Sequence, residues 1–145
     1  LKLDELVKNG IKLKIIGDKR IFTKKLRDLL FKAEKKTYKN KKLQINLALN
    51  YGSKSEIIYA IKSINKNDLR LTETNIKKNL YTKDIPDPDL LIRTGDTKRL
   101  SNFLLWQMAY TEIFFEKKLW PDFNSNNYKK IINKFKKLKR NFGNI

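Results

Sequence analysis

Residues 87–102 of the chain have the sequence DPDLLIRTGDTKRLSN, which carries the clearest structural signal of the sequence. It begins with a short apolar run at residues 90–92, which predicts a buried strand. Gly95 marks the loop that follows, because glycine adopts backbone angles that other residues avoid. Apolar residues then fill the segment from Asn102 to Tyr110, which predicts a helix. A strand that leads through a loop into a helix is the repeating unit of an α/β protein.

The charged side chains of this stretch predict an anion site. Arg93 lies at the carboxyl end of the predicted strand, where open parallel sheets bind their ligands. Arg99 follows in the loop, and either Ser101 or Asn102 is placed to cap the next helix. Two guanidinium groups beside the free N–H groups of a helix start would bind a diphosphate. In the alternative interpretation, the two arginines pair with nearby acids such as Asp89 or Asp96.

The rest of the chain repeats the alternation of strands and helices. Strands are predicted at residues 11–16, at residues 43–49 and at residues 113–115. Apolar residues at helical spacing predict a helix between Phe22 and Ala33, and a short helix is predicted near residues 74–80. The capping-box spacing of Ser53 and Glu56 predicts the start of another helix. A last helix is predicted near the C-terminus, with Asp122 or Asn124 as its cap and Gly143 just after its end. The pattern predicts one α/β domain, residues 1–145, with a mainly parallel sheet flanked by helices.

Composition limits the chemistry that is available. The chain has 145 residues, a net charge of +19, no cysteine and no histidine. These absences exclude disulfides, thiolate metal sites and the commonest general base. The charge indicates an anionic partner, although the abundance of lysine, isoleucine and asparagine also fits a low-GC genome. No apolar run approaches the ~20 residues of a membrane span and no signal-peptide pattern is present, so a cytoplasmic location is expected.

Glu112 is the candidate metal ligand. It follows the predicted helix and precedes the last predicted strand. A carboxylate beside a bound diphosphate suits Mg²⁺, which binds one or two carboxylates together with phosphate oxygens and water. A solvated glutamate at a strand end is the alternative, and the residues alone favour it.

Four stretches together resemble the C-terminal signature of the cis-prenyltransferases, the undecaprenyl diphosphate synthase type. They are residues 87–95 (DPDLLIRTG), 99–107 (RLSNFLLWQ), 109–112 (AYTE) and 119–123 (LWPDF). Residues 15–18 and 46–52 are similar to the upstream strands of the family, and residues 140–143 (RNFG) to its tail. The resemblance therefore covers nearly the whole chain.

The resemblance implies an enzyme that condenses isopentenyl diphosphate with an allylic diphosphate, such as farnesyl diphosphate, into a Z-polyprenyl diphosphate. A product such as undecaprenyl diphosphate is the precursor of the lipid carrier for cell-wall synthesis. Substrate binding is implied for the residues that match the signature, Arg93, Arg99, Leu100 and Ser101. Glu112 is implied as a ligand of Mg²⁺. The family also implies a homodimer in which the tail reaches the neighbouring subunit. The polybasic surface indicates peripheral contact with anionic membranes. A nucleic-acid partner is not expected, because the lysines are spread along the chain and the aromatic residues lie in apolar runs.

Departures from the family pattern qualify this expectation. The first strand of the family and its Asp-Gly-Asn-Gly-Arg-Trp loop have no counterpart in the chain, and that loop carries the catalytic aspartate. No catalytic residue is therefore assigned, and the chain is expected to be a fragment that is inactive alone. Lys98 stands where the family commonly has histidine, and Asp96 where a small residue is frequent. Two alternatives stay open: a non-catalytic partner subunit and a basic nucleic-acid-binding module.

Overall fold

The structure, a computed structural model, describes residues 2–140. The chain divides into two compact units, Leu1–Asp84 and Ile85–Ile145. The first unit contains α1 (Leu3–Lys8), β1 (Ile11–Ile16), α2 (Lys24–Thr37), β2 (Leu43–Ala48), α3 (Ser53–Lys66) and α4 (Glu73–Asn79). The second unit contains β3 (Leu90–Arg93), β4 (Glu112–Phe115) and α5 (Ser125–Phe135). That the chain forms a single domain stays a prediction.

Strands β1 and β2 of the first unit pair in parallel, with Ile11 beside Leu43 and Ile16 beside Ala48. Side chains of α2 accept hydrogen bonds from the edge of β1 that does not pair with β2. The N–H of Leu13 donates to the Thr37 hydroxyl at 3.0 Å, and the N–H of Ile15 donates to the Glu34 carboxylate at 2.8 Å. Backbone groups on a strand edge need such partners, so α2 closes this edge of the sheet.

Gly17 ends β1 in a conformation that only glycine accepts readily. Its φ is +113°, and a Cβ atom there would lie 2.1 Å from the carbonyl oxygen of Leu49. A side chain at this position would clash with the backbone that follows β2, so only glycine fits here.

One of the helix caps predicted from the sequence, Asn124, is present in the structure, and the one predicted at Ser53 is not. Thr23 caps α2 and Thr72 caps α4, while Asn124 caps α5 in a capping box with Asn127. The capping box predicted for Ser53 and Glu56 is wrong, because Ser53 is already the first residue of α3 and Gly52 precedes it without a side-chain cap.

Glu56, in the first turn of α3, is fully buried instead. Its carboxylate accepts a hydrogen bond from the Tyr51 hydroxyl at 2.5 Å and one from the N–H of Tyr81 at 2.8 Å. The side chain therefore joins α3 to the segment after α4, while Ala60 and Ile64 of the same helix are buried in the core.

In the second unit, β3 and β4 pair in parallel, with Leu90 beside Glu112 and Arg93 beside Phe115. Both pairings in the described part of the chain are thus parallel, and helices accompany them. The predicted α/β class is confirmed. Within residues 2–140, no helix has the length and apolar content needed to cross a bilayer.

The helix predicted from Asn102 to Tyr110 is wrong, and a series of turns takes its place. Ser101, Asn102 and Leu104 have φ values of +48°, +61° and +44°. Left-handed residues cannot continue a right-handed helix, so the segment turns repeatedly although its composition is apolar. Ser101 is therefore not a helix cap, and the anion site cannot use a helix N-terminus there.

Candidate functional site

Arg93 is the last residue of β3 and lies at the carboxyl end of the strand, as predicted. The chain beyond it stays attached to the segment after β4. The N–H of Gly95 donates to the carbonyl of Lys118 at 2.8 Å, and the N–H of Asp96 donates to the carbonyl of Glu116 at 3.2 Å. Gly95 and Asp96 both have positive φ, +90° and +51°. These bonds fix the direction in which the loop leaves Arg93.

The guanidinium group of Arg93 has N–H donors that no acceptor of the described residues uses. Its Nη1 atom donates to the Ser101 hydroxyl at 3.1 Å. Its Nε atom is buried and has no hydrogen-bond partner among the described residues. A buried N–H group without an acceptor is costly, because it has lost its water without replacement. Such a group fits a site whose acceptor is a bound oxyanion.

Arg99, Leu100 and Lys98 lie in the loop between Arg93 and Ser101. The side chains of Arg99 and Lys98 are exposed, while Leu100 is half-buried and accepts a backbone hydrogen bond from Phe103 at 3.1 Å. Within residues 2–140, the Arg99 side chain makes no hydrogen bond or ion pair. The structure thus joins Arg93 to Ser101 directly and leaves Arg99 available on the same loop.

Asp89, one of the two acids considered as partners of these arginines, pairs with Arg140 instead. Asp89 accepts a hydrogen bond from Nη1 of Arg140 at 2.7 Å. The Nη2 atom of Arg140 donates to the carbonyl of Tyr110 at 3.2 Å, and its guanidinium lies 5.4 Å from the Phe135 ring centre. In the described part of the chain, neither Arg93 nor Arg99 pairs with Asp89 or Asp96. The interpretation that the two arginines serve structural ion pairs therefore finds no support.

Sequence reasoning missed this contact of Arg140. Asp89 and Arg140 are 51 residues apart, and no local spacing connects them. The resemblance drew attention to residues 140–143 as a tail, but residues 141–143 lie outside the described part of the chain, as does the predicted cap Gly143.

Glu112 opens β4 and lies far from Arg93 along the strand pair. Its N–H donates to the carbonyl of Asp89 at 3.0 Å, and it sits beside Leu90 in the register. Three residues of strand separate that level from Arg93, a rise of about 10 Å. The half-buried carboxylate has no partner among the described residues.

These positions bear on metal binding. In the described part of the chain, no group of three acidic, histidine or cysteine side chains could hold a metal ion. Glu112 offers one carboxylate, and it does not lie beside Arg93 of the same chain. The described residues therefore do not assemble a complete Mg²⁺ site.

The structure is that of an α/β protein in which an arginine with an unpartnered Nε lies at the carboxyl end of a parallel strand. Residues 1–143 match the family model for undecaprenyl diphosphate synthase. The chain belongs to this family of prenyltransferases.

Curated relatives agree in name. The chain is 42% identical over 150 residues to an isoprenyl transferase of Oceanobacillus iheyensis, covering 99% of this chain and 60% of that protein. It is 43% identical to a ditrans,polycis-undecaprenyl-diphosphate synthase, (2E,6E)-farnesyl-diphosphate specific, of Wigglesworthia glossinidia brevipalpis, covering 99% of this chain and 58% of that protein. The chain thus spans about 60% of the length of these relatives.

Solved structures of two proteins share the fold. A probable undecaprenyl diphosphate synthase from Campylobacter jejuni is 41% identical with a TM-score of 0.86, over 97% of this chain and 69% of that one. Lavandulyl diphosphate synthase from Lavandula x intermedia, solved with dimethylallyl diphosphate, is 34% identical with a TM-score of 0.89, over 97% of this chain and 64% of that one.

Proposed function

We propose that the protein transfers prenyl groups, condensing isopentenyl diphosphate with an allylic diphosphate into a Z-polyprenyl diphosphate. The names of the relatives support farnesyl diphosphate as the allylic substrate and undecaprenyl diphosphate as the product. In this proposal the chain supplies the half of the site that binds isopentenyl diphosphate. The residues involved are Arg93, Arg99, Leu100 and Ser101.

One observation supports the proposal most strongly: Arg93 is half-buried at a strand end, and its buried Nε atom has no hydrogen-bond partner among the described residues. A guanidinium group can offer two parallel N–H donors to one phosphate, and such charge-assisted bonds are the stronger kind. Because Ser101 accepts from Nη1, its hydroxyl hydrogen stays available for a second phosphate oxygen. Arg99 adds an exposed positive charge, and Leu100 contributes an apolar side chain beside it.

The reaction assigned to the whole enzyme balances without redox chemistry. The terminal alkene carbon of isopentenyl diphosphate forms a bond to C1 of the allylic substrate. The C1–O bond of that substrate breaks, and its diphosphate leaves with the electron pair. A proton is then lost from C2 of the isopentenyl unit, which creates the new Z double bond. The residues of this chain hold the diphosphate of the attacking alkene and so fix the direction of attack.

We further propose that the enzyme is a Mg²⁺-dependent homodimer in contact with the membrane that receives its product. Support for a dimer comes from the second unit, where Ile113 and Phe115 of β4 and Leu119 and Trp120 after it expose apolar surface. Glu112 would provide one carboxylate to Mg²⁺, and diphosphate oxygens and water would complete the coordination. Glu112 and Arg93 lie at opposite ends of the strand pair. The Glu112 carboxylate of one chain would therefore coordinate Mg²⁺ bound to the diphosphate that a second chain holds.

Replacing Glu112 with glutamine should remove the response to Mg²⁺ and leave the charge-assisted binding intact. We expect Mg²⁺ to strengthen binding of isopentenyl diphosphate to the unmodified chain, and the variant to lose about tenfold or more in apparent Mg²⁺ affinity. Binding measured in the presence of a chelator should not differ between the two proteins. If Mg²⁺ strengthens binding equally in both, Glu112 is not a ligand.

Titration calorimetry of the 145-residue chain tests the proposed substrate. Isopentenyl diphosphate should bind, and inorganic diphosphate should compete with it for the same site. Isopentenyl alcohol, which carries the same carbon skeleton without charge, should not bind measurably, since the site recognises the diphosphate. Equal binding of the alcohol, or no binding of either phosphorylated compound, would contradict the proposal.

A further inference from the structure

A groove of about 800 Å³ lies in the first unit, where β1 faces the C-terminal part of α2. We call it the basic groove and define it by Lys12, Lys14, Phe31, Lys35, Tyr38 and Lys39. The first two belong to the polar face of β1, whereas the others belong to α2 and the turn after it. Apolar side chains form much of its walls and lysines surround them.

The positive charge of the basic groove is not neutralised internally. Two carboxylates line it, and both are occupied. Glu34 accepts from the N–H of Ile15 at 2.8 Å and from Nζ of Lys19 at 2.8 Å, while Asp84 lies 3.5 Å from Lys14. Lys12, Lys35 and Lys39 have no carboxylate partner among the described residues. The groove therefore presents three uncompensated ammonium groups to an anionic partner.

The aromatic side chains of the basic groove face water. Phe31 is 65% exposed and Tyr38 is 70% exposed. The ammonium group of Lys12 lies 5.1 Å from the centre of the Tyr38 ring, so the lysine and the aromatic ring form one surface. Aromatic rings with lysines beside them are typical of surfaces that sit at the headgroup level of a bilayer.

We infer that the basic groove docks on an anionic membrane surface, with phosphate headgroups at the lysines and Phe31 and Tyr38 at the boundary of the acyl chains. The choice of partner rests on the proposed function, whose product is an anionic lipid. Charge complementarity supports an anionic partner, and the apolar walls favour a lipid over a nucleic acid.

Flotation of the 145-residue chain with lipid vesicles tests this inference. Vesicles of phosphatidylcholine mixed with phosphatidylglycerol should bind the chain, and vesicles of phosphatidylcholine alone should bind it weakly. The groove variant Lys12→Gln/Lys35→Gln/Lys39→Gln should partition onto the anionic vesicles about 100-fold less, from the usual attraction of a lysine to such a surface.

A matched control variant distinguishes the contribution of the groove lysines from the effect of a lower net charge. Lys129→Gln/Lys130→Gln/Lys134→Gln removes the same charge from exposed positions on α5 of the second unit. Its partition should stay within about threefold of the unmodified chain. Equal losses in the two triple variants would overturn the inference in favour of a general polyanion surface. Because five of the six lysines are exposed and Lys12 is half-buried, both variants should fold, and their melting temperatures check this.

Two further readouts complete the test. Phe31→Ser/Tyr38→Ser should weaken anionic-vesicle binding without changing its salt dependence, because it removes apolar contact and no charge. If the groove variant loses binding to generic RNA but not to vesicles, a nucleic acid is the partner and the inference is wrong. Calorimetry with isopentenyl diphosphate should give the same affinity for the groove variant. Groove-specific vesicle binding without any diphosphate binding would instead refute the proposed function alone.

Discussion

Replacing Arg93 with alanine is expected to weaken the binding of isopentenyl diphosphate by about 10- to 150-fold. A hydrogen bond to a charged group contributes about 1.5–3 kcal/mol, and the variant loses at least one such contact. Ser101 would also lose the Nη1 donor that orients its hydroxyl. Calorimetric titration of the 145-residue chain measures the change directly.

Two comparison variants isolate the role of the guanidinium fork at position 93. Arg93→Lys keeps the positive charge but not the planar pair of donors, so its affinity should fall between those of the unmodified chain and the alanine variant. Arg70→Ala removes an equal charge from an exposed loop of the first unit and should leave the affinity unchanged. If Arg93→Ala and Arg70→Ala behave alike, position 93 contributes only to the general charge of the protein.

Replacing Glu56 with alanine is expected to lower the free energy of unfolding by about 3 kcal/mol or more. The side chain is fully buried, and its removal leaves the N–H of Tyr81 and the hydroxyl of Tyr51 without their acceptor. The cavity left by the side chain adds to the cost. Urea denaturation followed by circular dichroism gives the difference.

Glu56→Gln is the matched control for this prediction. The amide oxygen can still accept from Tyr81, and the amide nitrogen can donate to the Tyr51 oxygen, so the volume and most of the hydrogen bonding remain. This variant should lose clearly less stability than the alanine variant. An alanine variant within about 1 kcal/mol of the unmodified chain would show that the buried carboxylate does not hold α3 to Tyr81.

The elements with strong periodicity were predictable from the sequence, and those decided by backbone angles were not. Patterns of apolar residues located β1, β2 and α2, and the predicted cap Asn124 marked the start of α5. The segment from Asn102 to Tyr110 is apolar and yet not helical, because Ser101, Asn102 and Leu104 adopt left-handed angles that no composition reveals. Even a correct strand does not guarantee burial, as Leu47 of β2 is 43% exposed.

The candidate site shows the same division. The position of Arg93 at a strand end follows from the order of elements, and its spacing to Ser101 allowed the contact that the structure shows. The pairing of Asp89 with Arg140 depends on tertiary structure across 51 residues, which local spacing does not reveal. Asp89 precedes β3 and so lies at the end of the strand opposite Arg93. The separation of Glu112 from Arg93 likewise depends on strand register, which sequence spacing does not give.

If the guanidinium group of Arg93 receives the diphosphate, the side-chain resonance of its Nε–H should report binding. In ¹⁵N-edited NMR spectra of the chain, the signal is assigned by its loss in Arg93→Lys. Addition of isopentenyl diphosphate should shift this signal, because the Nε atom gains an acceptor. The Nε–H signal of Arg20 serves as the internal reference, since that atom already donates to Asp18 at 2.8 Å and the hydrogen bond lowers the pKa of the Asp18 carboxyl to about 2. A shift at Arg93 with none at Arg20 is the predicted result; diphosphate binding that leaves the Arg93 signal unmoved would contradict the account.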